Sequence, residues 1–350
     1  MLPSKTPVLP SGMMTRVLWR RRVTGWRLAL VLAIAVSSAP VGGADRVVVA
    51  ALPFVSSAPV FIAHSRGFYA DEGLDVELRF FHAAQPVALA VAARDADFGV
   101  TGLTAGFFNL VARGAVKIVA GQARVQQGYQ FVAYLASPDA HAAGLRTPAD
   151  LAGRRVGITQ MGSTFHYMVG QAADHYGFPL ERVRLVPLES VASTIAALRG
   201  GSIDAILLPS HLARPLADAG SARIIGWASE VEGWQLGALF ASTRTVEDRP
   251  DVARRFLAAY RRGAAVYHET FLARGGGAET EAAADALAGE LSEFVPSTVA
   301  QIRLATPFIP ADGGLDLAAV HRHVKWFQTR GLVDRQLQPD ALFASLSGSR

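Results

Sequence analysis

Residues 131–139 read Phe131-Val132-Ala133-Tyr134-Leu135-Ala136-Ser137-Pro138-Asp139. An apolar run of six stopped by Ser-Pro-Asp reads as a buried strand and its breaker. It decides the fold because a separate strand–helix series lies on each side of it. Upstream, strands over 46–51, 74–81, 98–100 and 116–120 alternate with helices over 58–70, 86–93 and 105–113. Downstream, strands over 155–159, 183–187 and 203–208 alternate with helices over 165–176, 191–199 and 212–218, and strands over 223–226 and 236–242 close the series. Thr147 is placed to cap a helical turn opened by Pro148. Such alternation argues for mostly parallel sheets covered by helices on both faces.

Beyond Pro250 the pattern changes to long Ala-rich amphipathic helices over 252–272, 279–294 and 317–330, with Gly275-Gly276-Gly277 as a loop. The expected fold class is therefore α/β with two lobes, each a mostly parallel sheet flanked by helices. Residues 45–135 and the returning segment 240–350 form one lobe, and residues 136–239 form the other. The chain crosses between them near residues 136–137 and again near 237–240. Two crossings make a hinge, and two lobes on a hinge enclose a cleft suited to a ligand. A chain of 350 residues, 51% hydrophobic, is long enough to build both cores.

The formal charge of +5 comes from the N-terminal stretch. Residues 1–44 hold six basic side chains (Lys5, Arg16, Arg20, Arg21, Arg22, Arg27) and no acid, so the remaining 28 Lys+Arg face 29 Asp+Glu, a balance of about −1. A nucleic-acid partner would need a basic stripe in the folded part, and none is evident. The basic stretch is followed by an apolar run over 28–36 and by Ser37-Ser38-Ala39-Pro40-Val41-Gly42-Gly43-Ala44. This is the anatomy of an export signal over 1–44, cleaved near Ala44, with Gly42 and Ala44 at the −3 and −1 places. An uncleaved anchor is the alternative, and Arg20-Arg21-Arg22-Val23 leaves a twin-arginine route open beside the general one. The sequence has no cysteine. Disulfides, a thiolate nucleophile and a lipoprotein anchor therefore fall away, and a free protein in a periplasm-like space is expected.

Three stretches carry a family resemblance. The first is Ala58-Pro59-Val60-Phe61-Ile62-Ala63-His64-Ser65-Arg66-Gly67-Phe68-Tyr69-Ala70-Asp71-Glu72-Gly73-Leu74-Asp75-Val76-Glu77. The second is Thr147-Pro148-Ala149-Asp150-Leu151-Ala152-Gly153-Arg154-Arg155-Val156-Gly157, and the third is Ala196-Ala197-Leu198-Arg199-Gly200-Gly201-Ser202-Ile203-Asp204-Ala205. Together they resemble the nitrate/taurine/alkanesulfonate-type (NitT/TauT) solute-binding proteins of ABC importers, over roughly residues 46–337. The resemblance implies the two-lobed, two-crossover periplasmic-binding fold (type II), a small-molecule ligand, and a membrane permease and ATPase as partners, the chain itself acting as a monomer. Most of the matching residues read as structural, Gly67 and Gly73 as turn formers among them.

In open α/β sheets ligands bind beyond the carboxyl ends of strands, where helix starts expose unpaired N–H groups. Four loops meet this rule: Phe54, Ser56 and Ser57 after the first strand; Thr101, Gly102 and Thr104 after the third; Met161, Gly162, Ser163 and Thr164 at 160–164; and Ser210 and His211 after Pro209. Their hydroxyls either cap a helix or donate to a ligand, and the resemblance points to the same loops. Phe107, Phe165, Tyr167, Trp227 and Trp234 lie in or near these loops, with Trp234 in Gly233-Trp234-Gln235 the best candidate for a pocket wall. Arg214, and the group Gln122, Arg124 and Gln126, are further polar candidates. The expected ligand is an organic body with a polar or anionic end. Its identity stays open among sulfonates, aromatic carboxylates, nitrogen heterocycles and lipid-like molecules.

The two stretches closest to enzyme signatures depart from them. Gly162-Ser163-Thr164 lacks the Gly-x-Ser-x-Gly elbow, and His268-Glu269 has no second histidine at zincin spacing. No metal or cofactor is expected. His321 and His323, two apart, read as surface histidines. By resemblance, the fold relatives that are thiamine-pyrimidine precursor synthases carry a cysteine-containing segment that this chain lacks. The expectation is a binding protein without catalysis. A sensor that presents its bound state to a receptor is the alternative.

Overall fold

The computed structural model describes residues 43–273 and 277–344. The expected leader lies outside them apart from Gly43 and Ala44, as do Gly275 and Gly276 of the glycine loop. Twelve strands follow in order: β1 (Asp45–Ala51), β2 (Leu74–Phe80), β3 (Phe98–Gly102), β4 (Val116–Gly121), β5 (Arg124–Val125), β6 (Val132–Ala136), β7 (Arg155–Ile158), β8 (Arg184–Pro187), β9 (Ala205–Pro209), β10 (Arg223–Trp227), β11 (Trp234–Gln235) and β12 (Gly237–Ser242).

They form two five-stranded sheets, ordered β2-β1-β3-β12-β4 and β8-β7-β9-β6-β10, and a two-stranded ribbon of β5 and β11. In each sheet four strands run one way and one is reversed: β12 pairs antiparallel with β3 and β4, and β6 with β9 and β10. The reversed strand is in both cases the one the chain forms just after crossing from the other sheet. The first sheet thus takes its fourth strand, β12, from beyond the whole of the second sheet, which is itself built from the continuous stretch 132–227, and this return ties the two lobes into one unit. The central strands β6, β9 and β12 are buried along their whole length. Continuous burial is what an unbroken apolar run gives when helices cover both faces of a sheet.

Sheet pairing moves the crossings. Val132 pairs with Pro209 and Ala136 with Ala205, so the strand at the head of the opening stretch belongs to the second sheet. The first crossing is therefore residues 122–131, ahead of the expected 136–137, and the second precedes β12 rather than lying within 237–240. The reason is physical: β6 finds its partners some seventy residues downstream, and no local pattern carries that choice. Between the crossings, Trp234 pairs with Val125 and Gln235 with Arg124, so both connections run side by side as the ribbon.

Two helices also differ from expectation. The helix read over 58–70 breaks at Gly67, which adopts φ 70° and separates Ala58–Ser65 from Phe68–Asp71. The breaker Ser137-Pro138-Asp139 starts a short helix, Pro138–Ala142, with the Ser137 hydroxyl accepting from Ala140 N.

The lobes are packed against one another. The helix Thr164–Tyr176, which follows β7, leans on the C-terminal helix Leu317–Thr329. Trp326 Nε1 donates to Asp174 at 3.0 Å, and Gly170 lies so close to Trp326 that a Cβ there would stand 1.9 Å from its ring. Tyr167 meets His323 with ring centroids 3.7 Å apart. His323 is fully buried among aromatic rings, not on the surface as expected, while His321 is partly exposed.

Candidate functional site

The carboxyl ends of both sheets face one small pocket of about 60 Å³. From the first sheet come Ser56 after β1, Ala83 and Ala84 after β2, Gly102 at the end of β3 and Gln122 after β4. From the second come Thr159 and Thr164 after β7, Val191 after β8 and Pro209 at the end of β9. Phe54, Phe131 and Phe165 supply aromatic walls. Every strand-end loop named in the sequence reading reaches this place or its edge. No lining side chain is ionisable.

The individual residues divide by what their side chains touch. Phe54, Ser56, Gly102 and Thr164 line the pocket. Ser57 and Thr101 stand behind it: Ser57 Oγ is 3.5 Å from Gln122 Nε2, and the buried Thr101 Oγ1 has no partner. Ser210 is fully buried with its hydroxyl unpartnered, while its backbone N–H donates to Phe131 O. His211 lies tilted against the Phe54 ring with centroids 5.4 Å apart, is 1% exposed, and has no partner at either ring nitrogen. Burial pushes its pKa down to about 3, so it is a neutral imidazole at any ordinary pH.

The remaining residues serve other contacts. Thr104 caps its helix by accepting from Phe107 N and donates to Gln85 Oε1; Ser163 accepts from His166 N in the same way. Met161 is 51% exposed. Gly162 N–H donates to His166 Nδ1 at 2.9 Å, which requires a neutral ring at that atom; desolvation, with the Arg330 charge adding, pushes that histidine down to about 4. Trp234 does not line the pocket. It is buried in the hinge ribbon, 4.8 Å from Tyr167. Gln122, named above among the weaker polar candidates, does line the pocket, and so does Thr159, which the sequence reading left out; Thr159 immediately follows β7 and Gln122 follows β4, so the carboxyl-end rule reaches both. Phe131, Met168 and Leu236 depend on the crossings and on helix rotation.

Two hydrogen bonds join the lobes at the rim. Thr164 Oγ1 donates to Leu103 O at 3.2 Å, and Ala105 N donates to Gly162 O at 2.8 Å. Both contacts need glycine beside them. A Cβ on Gly102 would stand 2.6 Å from Thr164 Oγ1, and one on Gly162 would stand 2.7 Å from Ala105 Cβ. Gly162 moreover has φ 76°, which disfavours any other residue.

At the ribbon, the Gln235 amide is fully engaged: Nε2 donates to Ala123 O and Gly237 O, and Oε1 accepts from Asp316 N. It fastens both crossings to the C-terminal segment. Among the described residues, no cluster of three or more His, Asp or Glu could hold a metal, and no helix is long and apolar enough to cross a membrane.

Two mixed sheets joined by paired crossings, with a pocket between their carboxyl ends, define the two-lobed periplasmic-binding-protein fold. The family model described as "NMT1/THI5 like" matches residues 55–270, and the chain belongs to that family. Solved structures agree on the fold. The alkanesulfonate-binding protein SsuA of Xanthomonas axonopodis pv. citri, bound to MOPS, superposes with TM-score 0.66 at 17% identity, over 86% of this chain and 96% of that one. The periplasmic aliphatic sulphonate binding protein SsuA of Escherichia coli gives 0.65 at 16% identity, over 87% and 95%. The periplasmic nitrate-binding protein NrtA of Synechocystis PCC 6803 gives 0.64 at 14% identity, over 85% and 84%. The resemblance carried by the three sequence stretches is therefore borne out. No curated protein matches the sequence.

Proposed function

We propose that this chain is the solute-binding component of an ABC importer, exported to the periplasm, where it captures a small organic molecule between its lobes and presents it to a membrane permease and ATPase. The observation that carries the reading is the placement of unpartnered polar atoms at one shared pocket. Thr101 Oγ1, Gln122 Oε1, Ser210 Oγ and both His211 nitrogens are buried without partners in or directly behind its walls. An unmade buried hydrogen bond costs about 1–3 kcal/mol, and a solute that pairs with some of these groups would recover that cost. A pocket of about 60 Å³ is small beside the roughly 300–1,000 Å³ usual for small-molecule sites. Admitting an organic solute then requires the lobes to part at Thr164–Leu103 and Ala105–Gly162, which is a hinge motion coupled to binding. The uncharged lining favours binding over acid–base chemistry.

Support also comes from the named fold relatives, two of which bind sulfonates and one nitrate. The test is a thermal-shift screen of fractionated metabolite extracts against the folded chain. A fraction that raises the melting temperature by about 4 °C or more is expected from saturating ligand. A complete set of fractions without a shift overturns the reading.

A further inference from the structure

Two buried glutamines flank the hinge, and they are used differently. Gln235 is 0% exposed and its amide meets three backbone partners. Gln122 is 1% exposed and lines the pocket, yet its Oε1 has no partner and its Nε2 reaches only Ser57 Oγ, at 3.5 Å. A structural glutamine in so dry a place is satisfied, as Gln235 is. Gln122 instead holds a donor and an acceptor at the pocket wall.

The rest of the wall tells which molecule would use them. Its polar side chains are Ser56, Gln122, Thr159 and Thr164, all neutral, and the flanking Phe54, Phe131 and Phe165 are flat and apolar. The helix starts that face it are partly used by their own chain: Ser163 accepts from His166 N, Ser190 accepts from Ser193 N, and Gly162 N–H is held by His166. An anion in this pocket would meet no cationic side chain, only backbone N–H groups such as those at the uncapped helix start Ala83–Ala84, whereas an uncharged molecule needs no charge compensation at all. We infer that the pocket takes an uncharged, flat organic molecule bearing an amide-like donor–acceptor edge, and that Gln122 reads that edge. This rests on the solute-capture reading above and sharpens it, because it departs from the anionic solutes named for the fold relatives.

The test is a binding screen by calorimetry against a library of small ring compounds arranged as matched pairs, each amide or sulfonamide beside its carboxylate or sulfonate: benzamide with benzoate, nicotinamide with nicotinate, benzenesulfonamide with benzenesulfonate, and so on. Binders are expected in the neutral half, with their acids at least about tenfold weaker, a difference that one unpaired charge or hydrogen bond readily exceeds. Their affinity should change little as salt is raised, since no charge is being paired. Gln122→Leu, close in size and without the amide, should weaken these binders at least about tenfold while leaving the melting temperature equal or higher. Acids that bind more tightly than their amides overturn the inference and leave solute capture standing. Gln122→Leu that keeps affinity, or that loses stability together with it, overturns the role of Gln122. A library with no binder in either half overturns this inference and leaves solute capture to the extract screen.

Discussion

Thr164 Oγ1 donates to Leu103 O at 3.2 Å, and it does so directly above Gly102, where a single added carbon would stand 2.6 Å from the same hydroxyl. The relationship makes Gly102 a gauge of lobe closure. Its φ is not positive, so alanine meets no backbone strain, only the clash. Gly102→Ala is expected to hold the lobes apart, enlarge the radius of gyration in X-ray scattering, and weaken ligand binding by roughly 5- to 150-fold, the equivalent of about 1–3 kcal/mol of overpacking. Adding Thr164→Ala removes the obstructing hydroxyl and should restore much of the closure. Unchanged scattering in Gly102→Ala would place the hinge motion elsewhere.

A second glycine tests how firmly the lobes are docked. Gly170 on the helix Thr164–Tyr176 presses on Trp326, with a virtual Cβ 1.9 Å from the ring. Gly170→Ala gains helix propensity worth about 1 kcal/mol, but here the clash is expected to win and destabilise by about 1–3 kcal/mol. Chemical denaturation would measure it. Pairing it with Trp326→Leu should give a cost well below the sum of the single changes, because the two residues share one contact.

Acid should weaken the fold before the carboxylates titrate. His166 and His211 are pushed down to about 4 and about 3 by burial, and the wholly buried His323 is also well below its ordinary value. A histidine depressed in the fold is neutral there but takes up a proton when the chain unfolds. Its contribution is thus fully present above about pH 6.5 and is lost as pH falls. Between about pH 6.5 and 4.5 each such residue adds a slope of roughly 1.4 kcal/mol per pH unit, and the exposed His64, also lowered by partial desolvation, acts more weakly in the same sense. Urea unfolding at several pH values would measure the total. His211→Phe replaces two unpartnered nitrogens with apolar carbon between Phe54 and Phe131, so it should lower the slope by about one proton and raise stability near pH 5.

Much of this architecture is legible in the sequence, and the failures have identifiable causes. Nearly every strand was readable because apolar runs of four to seven residues bounded by Gly, Pro or Asp have few other uses. The affiliation of Val132–Ala136 was not readable, since it depends on antiparallel pairing with Ala205–Pro209. At the site, the carboxyl-end rule found the loops but not the roles within them. Ser163 and Thr164 are neighbours of the same chemical kind, yet one caps the helix and the other lines the pocket and bridges the lobes. His323 was readable after all. It shares helical spacing with Val320, Val324 and Phe327, all buried, and a comparison with His321 alone hides that face.

The most direct test of capture between the lobes is native mass spectrometry of the folded chain after incubation with a whole metabolite extract and desalting, run beside Gly102→Ala. The account predicts one small molecule held by the natural chain at one-to-one stoichiometry and largely lost from the variant. A chain that emerges bare in both, or a molecule retained equally by both, would contradict it.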